Sequence, residues 1–281
     1  MSTTTETIAG VPIKLAMPFD LSFIHRYGTI FKVIAHFDGS GNLHFGVQEG
    51  DKRYFIKFAG APKEGFVEND TTEDAVEWLK EAKQAYRDLA HENLVRLIRG
   101  EEVGGGYALV FEWTDAECVG CRFPASREKF LRLPLEARLR AYDDILRFHA
   151  HAAEKGYVAI DFYHDQMLYD FANEKMLVCD IDFYQKSPYY GDKGPWGSSN
   201  FVSPEERVPG SRVDEITMVY TMGATAFSIF SDHDRSFVAW PLGRPLYDIA
   251  AKATSDDRTM RQQSIREFMQ EWHDTLEEDR V

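Results

Sequence analysis

Between Thr29 and Phe58, β-branched and aromatic residues come in three short runs, TIFKVIAHF, LHFGVQ and RYFIKFAG, separated by FDGSGN and EGDK. Runs of this composition bounded by Gly, Asp and Asn predict three strands of an antiparallel meander. A loop with Pro62, Gly65 and Asn69 follows. The spacing then lengthens: Ala75, Val76, Leu79, Ala82, Tyr86 and Leu89 recur with the period of a helix. Thr71-Thr72-Glu73-Asp74 sets its start, with a hydroxyl as N-cap and carboxylates at the positive helix end. HENLVRLIRGEEVGGGYALVFEW adds two strands about a Gly turn. Residues 20–113 therefore read as five antiparallel strands and one long helix. Residues 1–19 read as an extension whose first ten residues, being polar, are expected to fray.

After Trp113 the pattern turns helical. In LPLEARLRAYDDILRFHAHAAEKG, the residues Leu135, Leu139, Tyr142, Ile145, Leu146, His149 and Ala153 share one face, and Gly156 ends the helix. Short strands are expected in YVAI, QMLYDF and KMLVCDI, and a Gly/Pro/Ser-rich loop over 191–210. TMVYTMGATAFSIF is apolar or small throughout and predicts a buried helix. PLYDIAAKAT and SIREFMQEWHDTLEEDR read as helices. The expected class is α+β, with a β-rich small half before a mainly helical half, 114–281.

Composition narrows the function classes. The chain has 281 residues, 46 Asp+Glu against 32 Lys+Arg, and a net charge of −14. That balance argues against non-specific nucleic-acid binding, which needs surplus cations. Cys118, Cys121 and Cys179 are too few for a disulfide scaffold. No run approaches the roughly 18 apolar residues of a membrane helix, and MSTTTETIAG lacks the marks of a signal peptide. A cytoplasmic location without a membrane span is the expectation.

Two sets of residues carry candidate chemistry. Lys57 ends YFIK, and on an inward face its ammonium needs a partner, for which Glu81 on the following helix is placed, with Glu77 second. Upstream, Gly39, Gly41 and Gly46-Val47 offer backbone N–H groups that can surround phosphates. The second set lies in GYVAIDFYHDQMLYDFANEKMLVCDID. Asp161 follows one apolar strand, Asp180 and Asp182 end another, and Gln166 adds an amide oxygen. Carboxylates at strand ends are a usual way of holding Mg²⁺.

In this order and spacing, the chain resembles the eukaryotic-type protein kinase superfamily over almost its whole length, as a divergent serine/threonine-type member. YFIK resembles the strand whose lysine holds the α/β-phosphates of ATP. HENLVRL is similar to the segment after the regulatory helix. YALVFEW resembles the hinge, with Phe111 at the gatekeeper place and the backbone of Glu112–Thr114 near adenine. GYVAIDFYHDQMLYD aligns with the catalytic loop, which makes Asp161 the base and Gln166 the counterpart of the metal-binding asparagine. CDID stands where the metal-binding Asp-Phe-Gly stands; Asp180 is favoured by strand phase, with Asp182 as co-ligand or alternative. Trp196–Glu205 resembles the substrate-docking loop, and Ser198 its small hydroxyl residue. Asp214 resembles the aspartate opening the buried helix, and Arg261 the arginine that pairs with Glu205. The resemblance implies a two-lobed fold, ATP and Mg²⁺ as cofactors, and transfer of phosphate to serine or threonine hydroxyls of a protein substrate.

The departures set the alternatives. Ala159 and Ile160 stand in place of the His and Arg before the base, so no dependence on activation-loop phosphorylation is expected. Tyr163 replaces a lysine, and the glycine spacing is unlike G-x-G-x-x-G. A pseudokinase scaffold and a small-molecule kinase of the aminoglycoside or choline type, with a small hydroxyl-bearing acceptor, are the rival readings. Cys118-Val119-Gly120-Cys121 is a C-x-x-C that lacks two of the four ligands zinc needs, so incidental thiols are the stronger reading. His149 is expected to pack in the core, and His164 to serve a loop role.

Overall fold

The computed structural model describes residues 4–34, 41–63, 71–191 and 197–278. The chain is α+β, with antiparallel sheets and, among the described residues, six α-helices. It divides into two compact units, Met1–Asp88 with Val95–Thr114, and Leu89–Leu94 with Asp115–Val281.

The first unit opens with a hairpin of β1 (Thr4–Ile8) and β2 (Val11–Leu15), turned by Ala9 and Gly10 at positive φ. The expected fraying of the first residues is thus corrected from Thr4 onward. Threonines, here Thr4, Thr5 and Thr7, are good strand formers, and the hairpin buries Ile13 and Leu15 in the core. A five-stranded antiparallel sheet follows, built from β3 (Thr29–Ile34), β4 (Asn42–Glu49), β5 (Lys52–Ala59), β6 (Leu97–Val103) and β7 (Gly106–Glu112), in the order β3-β4-β5-β7-β6. The β6–β7 turn is two residues long, Gly104 at φ +57° and Gly105 at φ +76°, both of which a tight hairpin turn requires. One sheet face carries Leu43, Phe45, Val47, Ile56, Phe58, Ala108 and Val110, which share a buried cluster with Ile13, Leu15, Leu21, Ile24 and Tyr27. Each buried Val, Leu, Ile or Phe side chain of this cluster contributes about 1.5–3 kcal/mol on burial.

Helix α1 (Thr72–Asp88) begins at the expected cap. Thr71 Oγ1 accepts from Asp74 N–H (3.1 Å), while the Asp74 carboxylate accepts from Thr71 N–H (2.7 Å). Its buried stripe is Ala75, Leu79, Ala82 and Tyr86, and the Tyr86 ring meets Phe111 of β7 edge-on at 4.8 Å.

In the second unit, β8 (Glu117–Cys118) leads to α2 (Pro124–Leu131) and α3 (Leu135–Glu154). Then come β9 (Tyr157–Val158), β10 (Met167–Asp170), β11 (Lys175–Val178) and β12 (Gln185–Lys186). Helices α4 (Glu215–Ser231), α5 (Gly243–Ala253) and α6 (Ile265–Glu278) follow. Helix α4 is buried from Thr217 to Phe230, as its unbroken small and apolar text requires. Tyr142 of α3 bonds Met222 O of α4 (2.8 Å) and stacks edge-on against Trp272 of α6, which fixes three helices around one ring. His149 is a core residue, as expected: its ring nitrogens meet Ile145 O and Tyr184 Oη at 2.8 Å, and burial pushes its pKa down to about 4. No helix of the described residues is long and apolar enough to cross a membrane.

Candidate active site

Asp161 follows β9 in a half-buried, left-handed conformation, φ +64°, which Asp tolerates better than most side chains. The loop after it is closed by Gln166. Its Oε1 accepts from Tyr163 N–H (2.7 Å), its Nε2 donates to Asp161 O, and its own N–H bonds Tyr163 O (3.0 Å). Gln166 O then accepts from Cys179 N–H (2.9 Å), tying this loop to the end of β11. Gln166, expected as a metal ligand, thus serves as a brace: the extra methylene lets both ends of its amide reach back to the loop backbone.

Gly197 lies against this loop. A Cβ there would sit 2.8 Å from Asp161 Oδ1 and 3.3 Å from Tyr163 Cδ1, and the residue has φ +88°. Only glycine fits both demands. The segment containing Ser198 is therefore brought beside the Asp161 carboxylate. Trp196, at the start of that segment, falls outside the described residues.

Asp180 lies two residues past β11, exposed and left-handed at φ +54°; Asp182 is 8% exposed. Asp161, Asp165 and Asp180 all act on the Tyr163 phenol. Burial raises its pKa most, and the three carboxylates add to the rise against Arg122. Tyr163 therefore stays a neutral phenol among acids. Hard carboxylate oxygens on Asp180 and Asp182 suit Mg²⁺, which takes one or two carboxylates and completes its shell with water and phosphate. Asp180 would hold such an ion, with Asp182 as the alternative.

In the first unit Lys57 is 5% exposed in mid-β5, opposite His44 of β4 and Leu109 of β7. Strand alternation puts it on the face away from the Phe45–Ile56–Val110 cluster, together with His44, Gly46, Phe55 and Phe111. Gly46 on this face lies under two rings: a Cβ there would come within 2.8 Å of both Phe31 and Trp113.

The Val47 side chain lies on the opposite, core face, since the pairing that aligns His44 with Lys57 turns it away; its expected contribution is its backbone N–H. Glu81, the expected partner of Lys57, is exposed. The stripe Ala75–Leu79–Ala82–Tyr86 is the face α1 buries, and Glu81, about 100° from Ala82, turns outward. Glu77 is exposed as well. Of the glycine turn, Gly39 lies outside the described residues and Gly41 is buried just before β4. Glu112 ends β7 in an exposed ion pair with Arg96 (2.5 Å), and Thr114 closes the unit.

The structural pair is present as expected. Arg261, with no exposed side-chain surface, bonds Glu205 through both arms, Nη1–Oε1 2.7 Å and Nη2–Oε2 3.0 Å, and Thr217 Oγ1 donates to Glu205 Oε1 (2.9 Å). Asp214 is the N-cap of α4, accepting from Ile216 N–H (3.0 Å) and pairing with Arg212 (2.7 Å) and Arg258 (2.6 Å).

No family model and no curated protein matches the chain. Two features of the site were not read from the sequence. Asp165, its side chain 7% exposed, bonds His164 Nδ1 (2.8 Å) and Arg122 (3.3 Å). Gly120 receives it: a Cβ on that residue would fall 1.8 Å from Asp165 Oδ1. The approach of Gly120 and Arg122 to Asp165 leaves no local signal, because they lie over 40 residues from it in sequence.

Glu205 supplies a pH test. Burial raises its carboxyl, but Arg261 and Thr217 outweigh that, and its pKa ends below the usual value of 4.5. A depressed carboxylate stabilises the fold above its unfolded pKa, and that contribution is lost as pH falls through the folded value. Glu206, raised by burial, acts with the opposite sign. The stability gap between the wild type and Glu205→Gln, read by urea unfolding, is therefore expected to narrow as pH falls below about 4.5.

Proposed function

We propose that the chain is an ATP- and Mg²⁺-dependent phosphotransferase of the serine/threonine protein kinase type, with the two-lobed fold of that superfamily. The observation carrying this reading is the Asp161 loop: its backbone is braced by Gln166, which donates to Asp161 O, and Gly197 lies against the Asp161 carboxylate. Phosphoryl transfer asks the protein for alignment and charge rather than covalent chemistry. A carboxylate beside an acceptor-docking segment is placed to orient a hydroxyl and take its proton. Lys57 would hold the α/β-phosphates, and Mg²⁺ on Asp180 would neutralise phosphate charge. Glu205–Arg261 anchors the docking segment to the helices beneath it.

The scaffold alternative is favoured by one feature, the neutral Tyr163 at a place where the family carries a lysine. Nucleotide binding and turnover separate the two. Lys57→Met keeps the buried apolar stem and removes the charge. It is expected to weaken Mg-ATP binding by roughly 10–100-fold, the worth of a charge-assisted contact, in calorimetric titration of the full chain. Equal affinity in the variant removes Lys57 from the nucleotide site. Binding without transfer to itself or to any protein or metabolite pool supports the scaffold. Transfer confined to metabolites supports the small-molecule kinase.

A further inference from the structure

The C-x-x-C sequence divides in the structure. Cys118 is half-buried, and its thiol donates to Asp165 O (3.2 Å). Cys121 is exposed, and its Sγ lies 4.0 Å from His233 Nε2. Donor atoms of Cys121, His164 and His233 lie within 4.8 Å of one another, and among the described residues this is the one group of three or more His, Cys, Asp or Glu side chains so gathered. All three belong to the second unit, although 43 residues separate Cys121 from His164 and 112 separate it from His233.

We propose that Cys121, His164 and His233 bind one zinc ion, with water in the fourth position. A thiolate with two imidazoles is a donor set that selects zinc-like ions over Mg²⁺ or Ca²⁺. Bonds of about 2.3 Å to sulfur and about 2.0 Å to nitrogen place tetrahedral donors roughly 3.3–3.5 Å apart. The present donors lie within 4.8 Å of one another, with Cys121 Sγ 4.0 Å from His233 Nε2, so binding draws the exposed thiol and the two imidazoles inward. Binding exchanges the Cys121 thiol proton for the metal.

Three further features aim these groups at a common point. Asp165 Oδ1 lies 2.8 Å from His164 Nδ1 and the Cys121 N–H lies 3.4 Å from the same nitrogen, so the imidazole is fixed in orientation beside Cys121, with a carboxylate partner of the kind that orients metal-bound histidines. Gly120, inside the C-x-x-C, makes room for Asp165 where any side chain would collide. His233 is held at φ +71° directly after Asp232 at φ +49°, an uncommon pair of left-handed residues that turns the imidazole back beneath α4. Buried Arg127 fixes that turn, bonding Asp232 Oδ1 through Nε (3.0 Å) and Val119 O through Nη1 (3.0 Å), so the two sides of the site share one anchor. Edge-on packing of Phe201 with both imidazoles accounts for the rings, but not for a thiol directed at His233. Zinc here would join the 118–122 turn, the Asp161–Gln166 loop and the end of α4. It does not rest on nucleotide turnover.

The test uses the full chain, purified without a histidine tag, stripped with a chelator and titrated with Co²⁺ and then Zn²⁺ against a chromogenic indicator. One equivalent per chain is expected, with a thiolate-to-cobalt charge-transfer band and tetrahedral cobalt absorption. Cys121→Ser should abolish the band. Both Cys121→Ser and His233→Asn, which tolerates the left-handed backbone, should weaken Zn²⁺ binding by more than the roughly 10–100-fold that outer-shell changes cost. Cys118→Ser should leave stoichiometry and band intact. Circular dichroism of each variant verifies folding. Absence of the band in the wild type, or its persistence in folded Cys121→Ser, overturns the proposal.

Discussion

Asp161→Asn is expected to lower phosphoryl transfer by about 10²–10⁴-fold, the usual contribution of a positioned general base, or about 2.7–5.4 kcal/mol in the barrier. The change is near-isosteric. Asn accepts φ +64° as readily as Asp does, so the loop closed by Gln166 should keep its shape. Nucleotide affinity should change little, because the loss falls on acceptor activation and not on phosphate binding. Initial rates of phosphate incorporation from labelled ATP, set beside ATP titration of the same variant, measure both quantities. A rate equal to wild type would remove Asp161 from the chemistry. Asp161→Ala is a poorer probe, since alanine is strained at this φ and would mix a folding defect with a catalytic one.

The second large effect is on stability. Removing one partner of a buried ion pair leaves the other charge desolvated, at a cost of about 3–5 kcal/mol. Arg261→Met should reach this range, because Glu205 then keeps only the Thr217 hydroxyl as a strong partner. Arg261 also donates to Ser255 O (2.7 Å), so part of the loss comes from that freed carbonyl. The double variant Glu205→Leu/Arg261→Met should lose clearly less than the sum of the two single changes, because the second replacement removes the stranded charge. Denaturant unfolding of the four proteins gives the coupling directly; additive losses would show that the pair is not energetically linked.

Much of the architecture could be read along the chain. The strands of β3, β4 and β5, the capped start of α1 and the buried helix α4 all follow from local periodicity and turn residues. The hairpin β1–β2 was obscured by its polarity: threonines read as a loose terminus until Ile13 and Leu15 are seen in the core. Helix α2 carries almost no apolar stripe, so periodicity gave it no signal. Glu205–Arg261 was legible through a motif, whereas the Glu81 partnership was not fixed by spacing alone. Helical period narrows which residues share a face, but the rotation of α1 about its axis depends on which stripe the sheet accepts.

The amino-acid order by itself determined the α+β class, most of the segments that become strands and helices, and the placement of Asp161 and Asp180 just after short apolar strands; it put Lys57 at the end of its strand, which the structure extends to Ala59. Tertiary structure alone decided that Val47 and Lys57 lie on opposite faces, that Gln166 braces its own loop, and that Cys121, His164 and His233 meet. The physical reason is range. Periodicity, capping and turn chemistry act over a few residues and are written locally, whereas face, partner and convergence depend on how distant segments pack, a choice made by the whole core at once.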